Sequence, residues 1–310
     1  MKVLVTGGCG FIGSHLVDAL LAAGHDVAVV DDRSRGRHVW TGSPAPRLFE
    51  QSILEPAALT AVFREVAPAA VYHLAADHYI PTCEADPGGA FRLNVGGTLE
   101  VVEACRAVGT VERFFFASTG DVYGRMPYPH VESEPANPST VYGETKLIGE
   151  QILRRYRAGG HVDFALMVGR IFNAAGTRET NPHFLPAMVE QVAAGKRRVE
   201  VGNLWPLRDF TDVVSMARAI RELTEGSEGV DVVNIGSGRP VAVGEALKVL
   251  FEAGPGALDF VSVPEKQRPA DRPFLAPDVS ALRRRLGWTC APFGPETARA
   301  LWSEVQALAC

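Results

Sequence analysis

The sequence predicts an α/β protein: a doubly wound parallel sheet followed by a smaller carboxyl-terminal α/β region. Three observations carry that expectation. Short β-rich runs with few polar residues alternate with stretches of helical periodicity, and glycines sit at the junction of the first run and the first helix. After about Asn173 the alternation loosens, and glycine, proline and charge become denser. Strands that lack polar alternation are buried on both faces, and strands joined through helices pair in parallel.

Val3-Leu4-Val5 forms the first strand, Ser14 to Ala23 an amphipathic helix closed by Gly24, and Val27 to Val30 the next strand. Strand, glycine turn, helix and strand within about 30 residues make a βαβ unit. The spacing then predicts a helix over 56–66 and a strand over 70–74. A helix around 91–107 leads to a strand over 113–118, and a helix around 140–157 to a strand over 163–168. Beyond them come a helix around 184–194, a strand over 199–201, a helix around 212–224 and a strand over 232–235. Two further helices follow, joined by the proline-rich stretch 264–277. The expected division is a cofactor-binding domain over 1–173, rejoined by about 209–238, and a second domain over 174–208 and 239–310.

Composition sets outer bounds. The chain has 310 residues, enough for one large or two closely packed domains. Hydrophobic residues make up 46%, charged residues 22%, and mean hydropathy is +0.04, which excludes disorder, collagen-like repeats and a coiled coil. A net charge of -5 argues against a broad basic footprint, so no nucleic-acid partner is expected, although a local cationic pocket fits the same figure. No run of about 18 apolar residues is present, so no spanning helix and no membrane partner is expected. Glycine breaks the apolar start by Gly7, too early for a secretory signal. Cys9, Cys83, Cys105, Cys290 and Cys310 are scattered without CxxC spacing. They predict neither a disulfide framework nor a metal site, but reduced thiols in a cytoplasmic protein.

The glycine turn carries the first chemistry. Gly7, Gly10 and Gly13 stand between strand and helix, where a pyrophosphate needs backbone N–H groups and no side chain in the way. Asp31 lies 18 residues past Gly13 at the end of the second strand, with Asp32 beside it. A carboxylate there accepts the adenosine ribose hydroxyls and repels a 2′-phosphate, which favours NAD over NADP. Arg33, Arg35 and Arg37 just downstream are the counter-indication, since an arginine meets a phosphate well.

Tyr142 and Lys146 carry the second. They are four residues apart at an expected helix start, on one face. A tyrosine is a poor base near neutrality, and a lysine ammonium one turn away stabilises the phenolate. The pair can then take a proton from a sugar hydroxyl while hydride leaves the same carbon. Ser118-Thr119 closes a strand just upstream, at the sheet edge where cofactors and substrates bind.

These motifs resemble the extended short-chain dehydrogenase/reductases, specifically the nucleotide-sugar epimerases and dehydratases, over nearly the whole chain. The resemblance rests on TGGCGFIGSH at 6–15, HLAA at 73–76, Asn94 in LNVGGT, ASTGDVYG at 117–124 and YGETK at 142–146. It continues through RIFN at 170–173, LRDF at 207–210, NIGSG at 234–238 and LGW at 286–288. It implies a Rossmann-like NAD domain, a nucleotide-sugar substrate and a homodimer formed through the helices around 91–107 and 140–157. Val101 and Val102 are compatible with that interface, as they are with an internal one.

Residue by residue, the resemblance implies that Tyr142 and Lys146 are catalytic and also touch NAD, and that Thr119 binds the sugar O4. It implies further cofactor contacts from Phe11, Ile12, Leu74, Ala75, Ala76, Asn94 and Ala117. Substrate contacts are implied for Asn173, His183, Val201 and Arg208, and for Arg268 with Asp271 in RPAD. A guanidinium fork suits bidentate phosphate binding. Two departures matter. Where many relatives carry an acidic residue near the adenine, this chain has Ser52, leaving contact to Ser52 and the Ile53 backbone. Where 4,6-dehydratases carry Thr-Asp-Glu, it has Thr119-Gly120-Asp121, so only Asp121 remains as a second acid–base group.

A C4 epimerase requires Tyr142, Lys146, Thr119 and NAD alone, and is the favoured reading. A dehydratase needs two further proton-transfer groups, for which Asp121, His78 and Cys83 are the candidates. The run 201–213 also resembles GDP-4-keto-6-deoxymannose reductases, although Asp31 argues against their usual NADP. A cofactor-binding protein without catalysis is disfavoured by the retained tyrosine and lysine.

Overall fold

The structure is a computed structural model, and it describes residues 1–254, 259–267 and 272–308. Seven parallel strands form the central sheet: β1 (Lys2–Thr6), β2 (Asp26–Asp31), β3 (Arg47–Glu50), β4 (Ala70–His73), β5 (Arg113–Thr119), β6 (Ala165–Ile171) and β7 (Val230–Ile235). Their spatial order is β7-β6-β5-β4-β1-β2-β3. The chain therefore reverses its winding between β1 and β4, which opens a crevice at the carboxyl edge. Register puts the polar strand ends together there, with Thr6 opposite His73 and Thr119 opposite Ile171.

Alternation along β5 shows why both faces are dry. Phe114 and Phe116 point to the side packed by α2 (Pro56–Val66), α3 (Gly97–Val108) and α4 (Val141–Ala158). Phe115 points to the other, packed by α1 (Phe11–Ala22), α6 (Val213–Glu225) and α8 (Ser280–Leu286). All three rings are fully buried. Local chemistry sets the ends of these helices. Pro56 opens α2, where its missing N–H costs nothing, and the hydroxyl of Thr140 accepts from the Gly143 N–H at 3.0 Å to start α4. Asp212 caps α6 in the same way.

A separate apolar core belongs to the cap. It gathers α5 (Phe184–Ala193), α7 (Val243–Glu252) and α9 (Pro295–Leu308) around Leu185, Leu247, Leu250 and Trp302. The indole N–H of Trp302 donates to the Leu250 carbonyl at 2.8 Å. Beside it the strands Arg198–Val201 and Asp259–Ser262 pair in parallel.

Several elements differ from expectation. The strand expected over 163–168 runs from Ala165 to Ile171, and β3, too polar and exposed to show a strand pattern, was not expected at all. The tail holds three helices rather than two. One of them, α8, packs through Leu282 on the sheet, so the expected second region over 239–310 sends a segment back to the first core. A turn of π-helix over Arg92–Gly96 precedes α3 and turns Asn94 inward. Val101 and Val102 are fully buried within the subunit core, not on its surface.

Candidate active site

An elongated cavity of about 1190 Å³ runs along the carboxyl edge of the sheet, between the glycine turn and the cap. At one end Gly7, Gly10, Phe11, Ile12 and Gly13 line it. Gly10 stands at the start of α1 without a side-chain cap, so the first-turn N–H groups lack intrahelical partners and point at whatever binds there. The backbone is too close for side chains. A Cβ on Gly13 would lie 2.1 Å from the Gly7 carbonyl oxygen, and Gly7 itself holds φ +72 with Ala75 at its back.

Asp31 is buried at the end of β2. Its two carboxylate oxygens accept the N–H groups of Cys9 at 2.9 Å and Arg33 at 2.8 Å, which fixes the carboxylate toward the cavity. Burial raises its pKa and these two N–H donors oppose that rise. Asp32 lines the wall beside it and bonds Ser34. Of the three nearby arginines only Arg35 lines the cavity, and it pairs with Asp77 at 3.4 Å. The side-chain-free cradle, the helix start and the fixed carboxylate fit a dinucleotide such as NAD. Leu74, Ala75, Ala76, Ala117 and Ile53 add apolar wall.

The floor lies where β5 ends and α4 begins. Thr119, Asp121, Tyr142 and Lys146 all face the cavity there. Lys146 is buried with its Nζ 5.0 Å above the Phe116 ring, and burial pushes its pKa down to about 7. Burial likewise drives Tyr142 up, and the charge of Asp121 adds to that, while the Thr119 hydroxyl works against it. The protein's own groups therefore do not lower Tyr142 in the way the Tyr–Lys spacing suggests, because a dry floor penalises both charged forms. Next to them Ser118 donates to Glu150 at 2.6 Å, and Arg170 clamps the same carboxylate at 3.0 and 2.9 Å, all three buried. His73 lies beneath, its Nδ1 2.7 Å from the Thr6 hydroxyl and its Nε2 3.0 Å from that of Thr98. Burial holds it neutral, with a pKa near 3.

Toward the cap the wall carries Asn173, Arg208, His78 and His183. The Oδ1 of Asn173 is buried without a hydrogen-bond partner, a polar atom awaiting a ligand. Asp121 lies 3.8 Å from Arg272, a residue the sequence reading passed over. Arg272 is buried and donates to the carbonyls of Tyr123 and Gly124 and to His130. Burial raises the pKa of Asp121, and Arg272 and Arg208 hold it back. Arg272 stands in a charged run just before the apolar stretch PFLA, and nothing in that run singles it out from its charged neighbours. Arg125 and Glu179 also line the cavity and carried no motif.

Six expected residues fall elsewhere, behave differently or lie outside the described residues. Asn94 does not line the cavity: its amide donates to the Asp77 carbonyl and Thr145 and accepts from the Asp77 N–H, latching the β4 loop to α4. Ser52 turns away to accept from the Leu54 N–H, while its neighbours Gln51 and Ile53 reach the cavity. Val201 packs into the cap core, and Gly202 and Asn203 line the cavity in its place. Cys83 is buried behind the wall, its thiol pushed up to about 11 by burial, so it offers no proton-transfer group. Arg268 and Asp271 lie outside the described residues.

A doubly wound sheet with a dinucleotide cradle, and with a tyrosine, a lysine and a hydroxyl at its floor, defines the class of NAD-dependent enzymes that act on alcohol carbons. Comparison with known proteins narrows this. Residues 3–236 match the NAD dependent epimerase/dehydratase family, and the chain belongs to that family. It is similar to UDP-glucose 4-epimerase of Erwinia amylovora, 31% identical over 98% of this chain and 97% of the relative. It is also similar to GDP-6-deoxy-D-mannose reductase of Pseudomonas aeruginosa, 29% identical over 98% and 96%. Among solved structures, UDP-glucose-4-epimerase of Stenotrophomonas maltophila, with bound NAD and formylated UDP-arabinopyranose, superposes with a TM-score of 0.90. It is 28% identical, covering 100% of this chain and 99% of that one. The protein is an NAD-dependent enzyme of nucleotide-sugar chemistry, and no helix among the described residues is long and apolar enough to cross a membrane.

Proposed function

We propose that the protein inverts C4 of a uridine-diphosphate hexose through a 4-keto intermediate. The floor carries this reading. Tyr142, Lys146 and Thr119 meet there, Gly120 contributes no side chain, and Asp121, paired with Arg272 at 3.8 Å, is the carboxylate that faces the cavity beside them. Dehydration requires both a base for the C5 proton and an acid for the departing C6 oxygen, and one arginine-bound carboxylate does not supply the pair. The relatives named UDP-glucose 4-epimerase support uridine as the base.

NAD, which the glycine turn and Asp31 would hold, would supply the hydride acceptor and donor for C4 and a positive charge that favours the phenolate. Tyr142 takes the O4 proton and gives it back, so no proton is gained or lost over the cycle. Lys146 stabilises the phenolate form in which Tyr142 takes that proton, and Thr119 orients O4. Arg208 and Asn173 hold the diphosphate while the flat ketone turns over. We further infer a cytoplasmic homodimer. Phe91 and Leu99 leave apolar surface just before and along α3, each 38% exposed.

Purified protein incubated with UDP-glucose is expected to yield an isomer of unchanged mass without added cofactor. Loss of water from the product would replace epimerisation with dehydration, and stoichiometric consumption of reduced cofactor would replace it with reduction. Light scattering on wild type and Leu99→Glu tests the dimer: a monomeric wild type overturns it.

A further inference from the structure

At the mouth of the cleft three potential metal ligands converge, in a place that no sequence motif marks. Nε2 of His78 lies 4.0 Å from Oε2 of Glu179, and Nε2 of His183 lies 3.8 Å from the same oxygen. One donor atom from each of the three falls within 4.8 Å of the others. Both nitrogen–oxygen distances exceed a hydrogen bond, so the triangle is not closed by direct N–H···O contacts.

The surroundings prepare these groups to bind a cation. Glu179 has a side chain only 4% exposed, yet among the described residues no lysine or arginine pairs with it. A buried carboxylate is costly unless positive charge or N–H donors reach it, and here two imidazoles and the Asn181 N–H groups do. Its Oε1 is engaged by the Asn181 N–H at 2.8 Å, which leaves Oε2 aimed between the histidines. The Asn181 side-chain amide, at 3.3 Å from Nε2 of His78, can only donate. Nε2 of His78 therefore accepts from that amide and its ring proton sits on Nδ1, the tautomer that a metal takes once the amide turns aside. The two imidazoles stack at 5.4 Å with 24° between planes, and Tyr79 packs edge-on against His183 at 5.4 Å.

We propose that His78, Glu179 and His183 bind one zinc-class divalent cation, with the remaining coordination directed into the cleft. Two imidazole nitrogens and one carboxylate oxygen suit zinc, cobalt or nickel, whereas calcium and magnesium demand oxygen ligands. Three protein ligands leave a position for water or a substrate oxygen, and all three residues line the cavity that contains Tyr142. Zinc–ligand bonds of about 2.0–2.1 Å put tetrahedral ligands roughly 3.4 Å apart. The two histidine–glutamate edges must therefore contract by about half an ångström, and the imidazoles, both half-exposed, can rotate to close all three edges.

The test titrates NAD-loaded protein with zinc chloride by calorimetry, in a Cys310→Ser background that removes the thiol outside the described residues. Metal content is measured after gel filtration, and cobalt(II) substitution reads the ligand field. One zinc per chain and visible cobalt bands are expected. His78→Gln, Glu179→Gln and His183→Gln should each weaken zinc binding by at least about 10-fold, comparable to or beyond the loss from a disturbed outer shell. Retained NAD and an unchanged melting temperature in the two histidine variants establish folding, should Glu179→Gln be unstable. Absence of stoichiometric zinc, or undiminished affinity in either folded histidine variant, overturns the site. Zinc binding is read without sugar nucleotide, so its failure leaves the epimerase reading untouched.

Discussion

At the floor of the cleft Ser118, Glu150 and Arg170 close a buried network with hydrogen bonds of 2.6–3.0 Å, on two strands and a helix of the sheet core. At the mouth His78 and His183 stand 4.0 and 3.8 Å from Glu179, on the loop after β4 and the segment leading into α5. The floor is dry and internally satisfied, and its tolerance for change is small because any lost partner leaves a buried charge. Toward the cap, Oδ1 of Asn173 is buried without a hydrogen-bond partner. Chemistry common to the family belongs on rigid strand ends, and ligand choice belongs where loops of the cap meet the sheet.

The largest expected effect tests the floor. Tyr142→Phe should lower turnover by about 10²–10⁴-fold, the span of general acid–base catalysis, while NAD stays bound; an active variant would detach the chemistry from the floor. Next in size, Glu150→Gln breaks the buried clamp on Arg170 and should cost about 3–5 kcal/mol in urea unfolding. A loss below about 1 kcal/mol would show that the network is not what stiffens the floor.

Arg208→Ala probes the mouth side. It should raise KM for UDP-glucose by roughly 10-fold or more, as a lost charge-assisted phosphate contact of about 1.5–3 kcal/mol implies, with kcat little changed. A fall in kcat at constant KM would erase the distinction between the two regions. Asp121→Asn should change epimerisation only a few-fold, because the proposed cycle does not use that carboxyl for proton transfer. A further effect is in pH. Burial pushes Lys146 down to about 7 from its ordinary 10.5, so between those values the unfolded chain holds a proton that the folded one has shed. Stability of NAD-stripped protein should therefore rise with pH across that window. Lys146→Met should flatten the slope, measured as urea midpoints at several pH values.

Much of this was legible in the chain. The glycine turn, Asp31, Thr119, Tyr142 and Lys146 announce themselves because each sits at a fixed offset from a strand or helix end, and local rules place such ends. Asn94 was misassigned because the π-helical turn before α3 rotates it away from the cavity, and helical periodicity does not register such a turn. Val101 and Val102 fit an outer interface in sequence and an inner core in space, since an apolar helix face reads the same either way.

Sequence by itself determined the order of strands and helices, the dinucleotide cradle and the residues of the floor, because those depend on side chains within a few positions of one another. Tertiary structure alone decided the rest. It brought Arg272 across 151 positions of chain to Asp121, and His78 across about 100 positions to Glu179 and His183. Contacts of that span are set by how the cap closes on the sheet, and no spacing within the chain encodes the closure.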